Sequence, residues 1–188
     1  MKDLIHIILT ISSLLILFIS CSNKPKDAIT VNELPSIFPD YVDITIPPNI
    51  APLNFKLLEG KKGYVEVRFN EQRMHVSTNN GKIIFPLSQW KKTMESAIGK
   101  DVEVKVFVQK DKVWNEYKSF SWKVSSDSID PYMAYRLIEP GYELWNQMGI
   151  YQRHLENFKE TPILENKMTS RNCMNCHSFC NQDPENML

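Results

Sequence analysis

The sequence predicts a mainly β fold, a small antiparallel β-sandwich followed by a short α-helical segment. Three observations predict it. Apolar and polar residues alternate through several short runs between Tyr41 and Val124. Polar turns separate those runs, which is the pattern of strands joined as hairpins. After Asp130-Pro131 the apolar spacing changes to three and four, the period of a helix. A chain of 188 residues with 43% hydrophobic content suffices for one ordinary domain plus an appendage. The formal net charge is zero and no Lys/Arg stripe stands out, so the electrostatic footprint of a nucleic-acid binder is missing.

Residues 1–20 read as a signal peptide of the lipoprotein kind. An apolar stretch runs from Leu4 to Ile19, broken only by His6, Thr10, Ser12 and Ser13, behind a short n-region. It ends at Ser20-Cys21, which resembles the lipobox cut by the lipoprotein signal peptidase, with Phe18 in place of the usual leucine. That resemblance makes Cys21 the lipidated first residue and the membrane a partner through the lipid anchor. The competing reading is an uncleaved signal anchor. Both place the rest of the chain in the cell envelope, outside the cytoplasm, where free thiols are oxidised unless something occupies them.

Residues 21–40, with Lys24, Pro25, Lys26, Asp27, Pro35 and Pro39, have the composition of a tether. If flexible, such a segment spans roughly 25 Å. The sandwich is expected over 41–126. Val42, Ile44 and Ile46 alternate with Asp43 and Thr45 until Pro47-Pro48 ends the run. Val65, Val67 and Phe69 form a second run, continued by Met74 and Val76 beyond a turn. Val102, Val104, Val106 and Val108 form the longest, and Lys110-Asp111-Lys112 turns it toward Phe120, Trp122 and Val124. Between them, Trp90, Met94, Ala97 and Ile98 share one helical face over Leu87 to Ile98, and Gly99 supplies the stop. This order of elements has fibronectin or immunoglobulin-like character. Nothing in it assembles a nucleophile with its base, so no enzyme is expected, and His75 reads as a half-exposed polar residue.

Residues 127–188 are expected to be a helical segment. Tyr132 to Ile138 reads as a short helix ended by Pro140-Gly141. Trp145, Met148, Tyr151, Leu155 and Phe158 predict a second over about Tyr142 to Phe158, with His154 off the stripe. Residues 159–172 read as a loop, because Pro162 interrupts any helix there.

That loop leads to Cys173-Met174-Asn175-Cys176-His177, the spacing of a covalent c-type haem attachment. Two thioethers to the haem vinyl groups need cysteines three positions apart, and the next residue supplies an imidazole to the iron. Cys173 and Cys176 are the candidate attachment residues, and His177 is the candidate iron ligand. Two other readings use Cys180, a zinc site with three thiolates and His177 or part of an iron-sulfur cluster, and a third is a Cys173–Cys176 disulfide. With haem bound, Cys180 is surplus. A sixth ligand would come from Met168, His154, His75 or Met187, none of which has a decisive spacing. The expected function is electron transfer with redox partner proteins. The alternative is an envelope binding module whose cysteines form a structural zinc or disulfide cluster, helped by aromatics such as Trp114 and Tyr117.

Three segments carry a resemblance: Tyr41 to Phe55, Ile129 to Trp145, and Asn172 to Phe179. They resemble the N-terminal part of Bacteroides-type lipoproteins with a TolB-like β-propeller, commonly labelled cytochrome c biosynthesis proteins. The resemblance implies haem c on Cys173 and Cys176, proximal ligation by His177, and the outer membrane as the location. It also implies a propeller beyond Leu188, which this chain lacks, so the chain is expected to be truncated or a short variant. A haem motif in the protein itself points to a haem carrier and not to an enzyme that attaches haem.

Overall fold

The computed structural model describes residues 24–138, 148–170 and 180–182. The described chain is mainly β. Its strands are β1 (Ile29–Val31), β2 (Ile37–Phe38), β3 (Thr45–Ile46), β4 (Phe55–Leu57), β5 (Lys62–Phe69), β6 (Gln72–Thr78) and β7 (Lys82–Ile83). After helix α1 (Leu87–Ser96) come β8 (Asp101–Lys110), β9 (Val113–Tyr117), β10 (Phe120–Val124), β11 (Tyr132–Leu137), β12 (Gly149–His154) and β13 (Glu160–Glu165).

The valine run of β8 makes it the spine of the largest sheet. One edge pairs antiparallel with β5, from Lys62 opposite Gln109 to Arg68 opposite Glu103. Its other edge is shared by β10 at the N-terminal half and β9 at the C-terminal half. The hairpin between β8 and β9 turns on Asp111 and Lys112, both in the left-handed region at φ 48° and 68°. Two positive φ values in succession match the right-handed twist of the flanking strands. β6 lies outside β5, while β1 joins β9 and β3 joins β10 in parallel pairings. β2, β4 and β7 form a small second sheet.

The β8 valines alternate onto one face, where Val102, Val104 and Val106 are fully buried. Val65, Val67 and Met74 join them in a core that also takes Phe55 and Ile83 of the small sheet and Trp90, Met94 and Ala97 of the helical turn. At its centre Trp90 and Trp122 meet edge to face with ring centroids 5.4 Å apart, and Phe85 contacts both. Each indole is fully buried because its one polar atom is satisfied. Trp90 Nε1–H donates to the Ile50 carbonyl and Trp122 Nε1–H to that of Tyr41, each at 2.8 Å. The strap of residues 41–50 is thereby pinned over the core. α1 ends as expected near Gly99, whose φ of 74° suits a residue without Cβ. Ile98 lies past the helix end and is 47% exposed. The opposite face of β8 carries charged side chains, with Glu103 bound by Arg68 at 2.6 Å and Lys105 at 3.7 Å.

Four expectations need correcting. Part of the stretch read as a tether is structured, since β1 and β2 pair with the large and small sheets. Residues 132–137 are a strand and not a helix. The expected second helix is overturned where it is described, because Gly149–His154 is a strand; residues 139–147 lie outside the described residues. The expected loop contains β13, and the three strands form an antiparallel meander. Gly149 and the bulky Ile150 and Tyr151 are poor helix formers, and Tyr151 finds a cross-strand partner in Tyr135, stacked at 6.2 Å. Pro162 is accommodated because β13 is an edge strand and its register shifts beside Tyr151.

Candidate functional site

The residues singled out for chemistry, Cys173, Cys176 and His177, lie outside the described residues, as do Cys21 and Met187. The structure describes what flanks the motif. On one side the chain is followed to Ser170, three positions before Cys173, and on the other it resumes at Cys180. β13 runs into a tight helical turn, Asn166–Met168, where Thr169 donates from both N–H and Oγ1 to the Asn166 carbonyl, at 3.1 and 3.2 Å. Asn166 is buried, and its N–H donates to the Met148 carbonyl at 3.3 Å, fastening the turn to the start of β12. Ser170 and Asn181 both have positive φ, at 55° and 52°. Cys180 is an exposed free thiol.

The meander that delivers the chain to this point is tied to the main body by polar groups. Asn49 Nδ2 donates to the Ile129 carbonyl at 2.8 Å, and its Oδ1 accepts from the Ile129 N–H at 3.0 Å. The Ala51 N–H donates to the Leu155 carbonyl at 2.7 Å. Glu156 receives Lys91 Nζ at 3.0 Å and Asn49 Nδ2 at 3.2 Å. The Lys91 hydrogen bond, and secondarily that of Asn49, holds the Glu156 carboxyl below the usual carboxylate range. Glu165, on β13, is held low in the same way by Lys167.

The surface of the meander is unusually apolar. Met133 and Leu137 on β11, Phe158 at the turn before β13, Ile163 and Met168 are all exposed, the last by 60%. Sequence reasoning missed this exposure because it placed these residues on helices and a loop. Tyr135 Oη donates to Glu160, which raises the phenol's pKa, and burial raises that of Tyr151.

The candidate sixth ligands are not brought together. His75 stands on β6, exposed and stacked on Tyr64 at 5.6 Å, within the large sheet. His154 ends β12, packs on Tyr132 at 4.6 Å, and accepts the Glu156 N–H on Nδ1 at 3.2 Å. The neutral imidazole therefore carries its proton on Nε2, the tautomer opposite to the one that ligates metal through Nε2. Met168 presents an unencumbered thioether close in sequence to the motif. Trp114 and Tyr117 form no aromatic platform: three positions apart on a strand they face opposite ways, and Tyr117 is buried with its hydroxyl on Glu59.

Among the described residues no three His, Cys, Asp or Glu side chains are grouped to hold a metal ion, and no helix is long and apolar enough to cross a membrane. Compared with family models, with characterised proteins and with solved structures, the chain matches none.

Proposed function

We propose that the chain is a membrane-anchored c-type haem-binding lipoprotein that transfers electrons in the cell envelope. The observation that carries this reading is Cys173-Met174-Asn175-Cys176-His177, which supplies two thiols at thioether spacing and an adjoining imidazole. The apolar run that ends at Ser20-Cys21 supports it, because c-type haem is attached after export and Cys21 offers a lipid anchor. A haem so held supplies one-electron chemistry at its iron. Cys173 and Cys176 would fix the ring covalently, and His177 would hold the iron on one side. The exposed apolar residues of the meander, Leu137, Ile163 and Met168 among them, fit the need of a largely apolar ring for cover from water. The large and small sheets around their shared core are read as the two layers of a fibronectin or immunoglobulin-like sandwich, a scaffold for the haem segment. By the family resemblance the anchor sits in the outer membrane.

Expression of the full chain alongside cytochrome c maturation machinery tests the proposal. Haem staining should survive denaturing electrophoresis, and Cys173→Ala with Cys176→Ala should abolish it. A colourless chain beside a control cytochrome that matures sinks the reading. The exposed free thiol of Cys180 favours one second reading, a structural zinc held by Cys173, Cys176, His177 and Cys180. Stoichiometric zinc that disappears on Cys180→Ser would establish it.

A further inference from the structure

The end of the meander carries a small cavity that the haem reading does not use. Its volume is about 150 Å³, and among the described residues it is lined by Tyr132, Gln152, His154, Lys159 and Thr161. The strand register explains the gathering. Tyr132 lies opposite His154 across β11 and β12, and Gln152 lies opposite Thr161 across β12 and β13, so all four share one face. Lys159 closes the end, since its carbonyl accepts the His154 N–H at 2.9 Å.

The chemistry of the lining is one-sided. Lys159 brings an ammonium, Gln152 an amide, and Tyr132 and Thr161 hydroxyls. His154 joins them as a donor, because the Glu156 N–H occupies its Nδ1 and leaves the proton on Nε2. Among the described residues no carboxylate lines the cavity. Two acidic side chains of the same segment are engaged elsewhere: Glu156 with Lys91 and Asn49, and Glu160 with Tyr135 on the opposite face of the sheet. Lys159 forms no ion pair with a described residue. A cavity with five donors, one fixed positive charge and no negative charge is complementary to an anion. Its volume is well below the roughly 300–1,000 Å³ of sites for drug-sized ligands, which restricts the occupant to a small one.

We propose that this cavity is a binding site for a single small oxyanion, a carboxylate or phosphate group. Two sources share that chemistry, a free anion and a propionate of the haem proposed above; only the second rests on the haem reading.

The test uses the full chain prepared without haem, titrated with inorganic phosphate at constant ionic strength and followed by ¹⁵N NMR. Saturable shifts are expected at the amides of Gln152, Lys159 and Thr161 and at the His154 imidazole, with chloride producing none. Lys159→Ala should weaken binding about tenfold, the worth of one charge-assisted hydrogen bond. Lys159 and Thr161 are exposed, so Lys159→Ala and Thr161→Val should leave the remaining spectrum intact. Shifts that never saturate, or that survive Lys159→Ala unchanged, overturn the proposal. In the haem-loaded chain, loss of phosphate binding identifies the propionate as occupant, and retained binding identifies a free anion. A chain that takes up no haem refutes the function proposed above and leaves the haem-free titration to decide this site.

Discussion

Trp90 and Trp122 show how much of this fold depends on single polar atoms inside an apolar core. Each indole N–H reaches a carbonyl of the 41–50 strap, so replacement removes both packing and the hydrogen bond to that carbonyl. Trp90→Ala should cost about 3–5 kcal/mol, and the milder Trp122→Phe about 1–3 kcal/mol from the lost hydrogen bond and volume. Urea unfolding checks both, as a fall in midpoint at constant slope. Gly63 makes the same point through the absence of a side chain. A Cβ there would lie 2.3 Å from Leu57 Cδ1 and 3.2 Å from the Phe107 carbonyl. Gly63→Ala should therefore destabilise by about 1–3 kcal/mol in the same measurement. The inward direction of both tryptophans is legible from alternation and helical spacing, but their acceptors are not. The partners lie 40 and 81 positions away in sequence, and no local pattern encodes that distance.

The meander is the element where reading from the sequence fails, and the reason is physical. An apolar spacing of three and four is compatible with a helix, but it outweighed Gly149 and the strand preferences of Ile150 and Tyr151 only because the strands that pair with them were not recognised. Period-two runs in the large sheet gave no such ambiguity, and β5, β6, β8 and α1 fall close to where the pattern puts them. The candidate haem residues were proposed on a different ground, two cysteines and a histidine at a fixed spacing that needs no fold to be noticed, and they lie outside the described residues. The oxyanion cavity was invisible, since its lining comes together only through strand register. The attachment of the meander to the body predicts a pH effect. Glu156 is held below the ordinary carboxylate range by Lys91 and Asn49, so its stabilisation is complete above the unfolded value near 4.5 and disappears as pH falls through the folded one. Because Glu156 and Lys91 are partly exposed, at 26% and 38%, the loss should be at most about 1 kcal/mol. Hydrogen-exchange protection of β12, taken relative to the intrinsic rate at each pH, should fall on acidification through that range while that of β8 holds, and Glu156→Gln should lower β12 protection in the same way at neutral pH.

Across the whole molecule, one strand holds the large sheet together. β8 contacts β5 along one edge and both β10 and β9 along the other, so every strand of that sheet is bound to it directly or through one neighbour, and the core valines lie on its inner face. A polar residue at Val104 or Val106, both fully buried, should therefore unfold all these strands together and not fray one edge; circular dichroism and tryptophan fluorescence should report the same transition. The two parallel pairings also carry a consequence in time. β1 and β3 find their partners in β9 and β10 about eighty residues further along, contacts whose loop-closure entropy must be met before they stabilise anything. Folding should be slow for a chain of this size, in the range of milliseconds to seconds, and completion of the sheet must wait for the last of those strands. A chain emerging N-terminus first would keep β1 and β3 without their partners until residues 113–124 had followed.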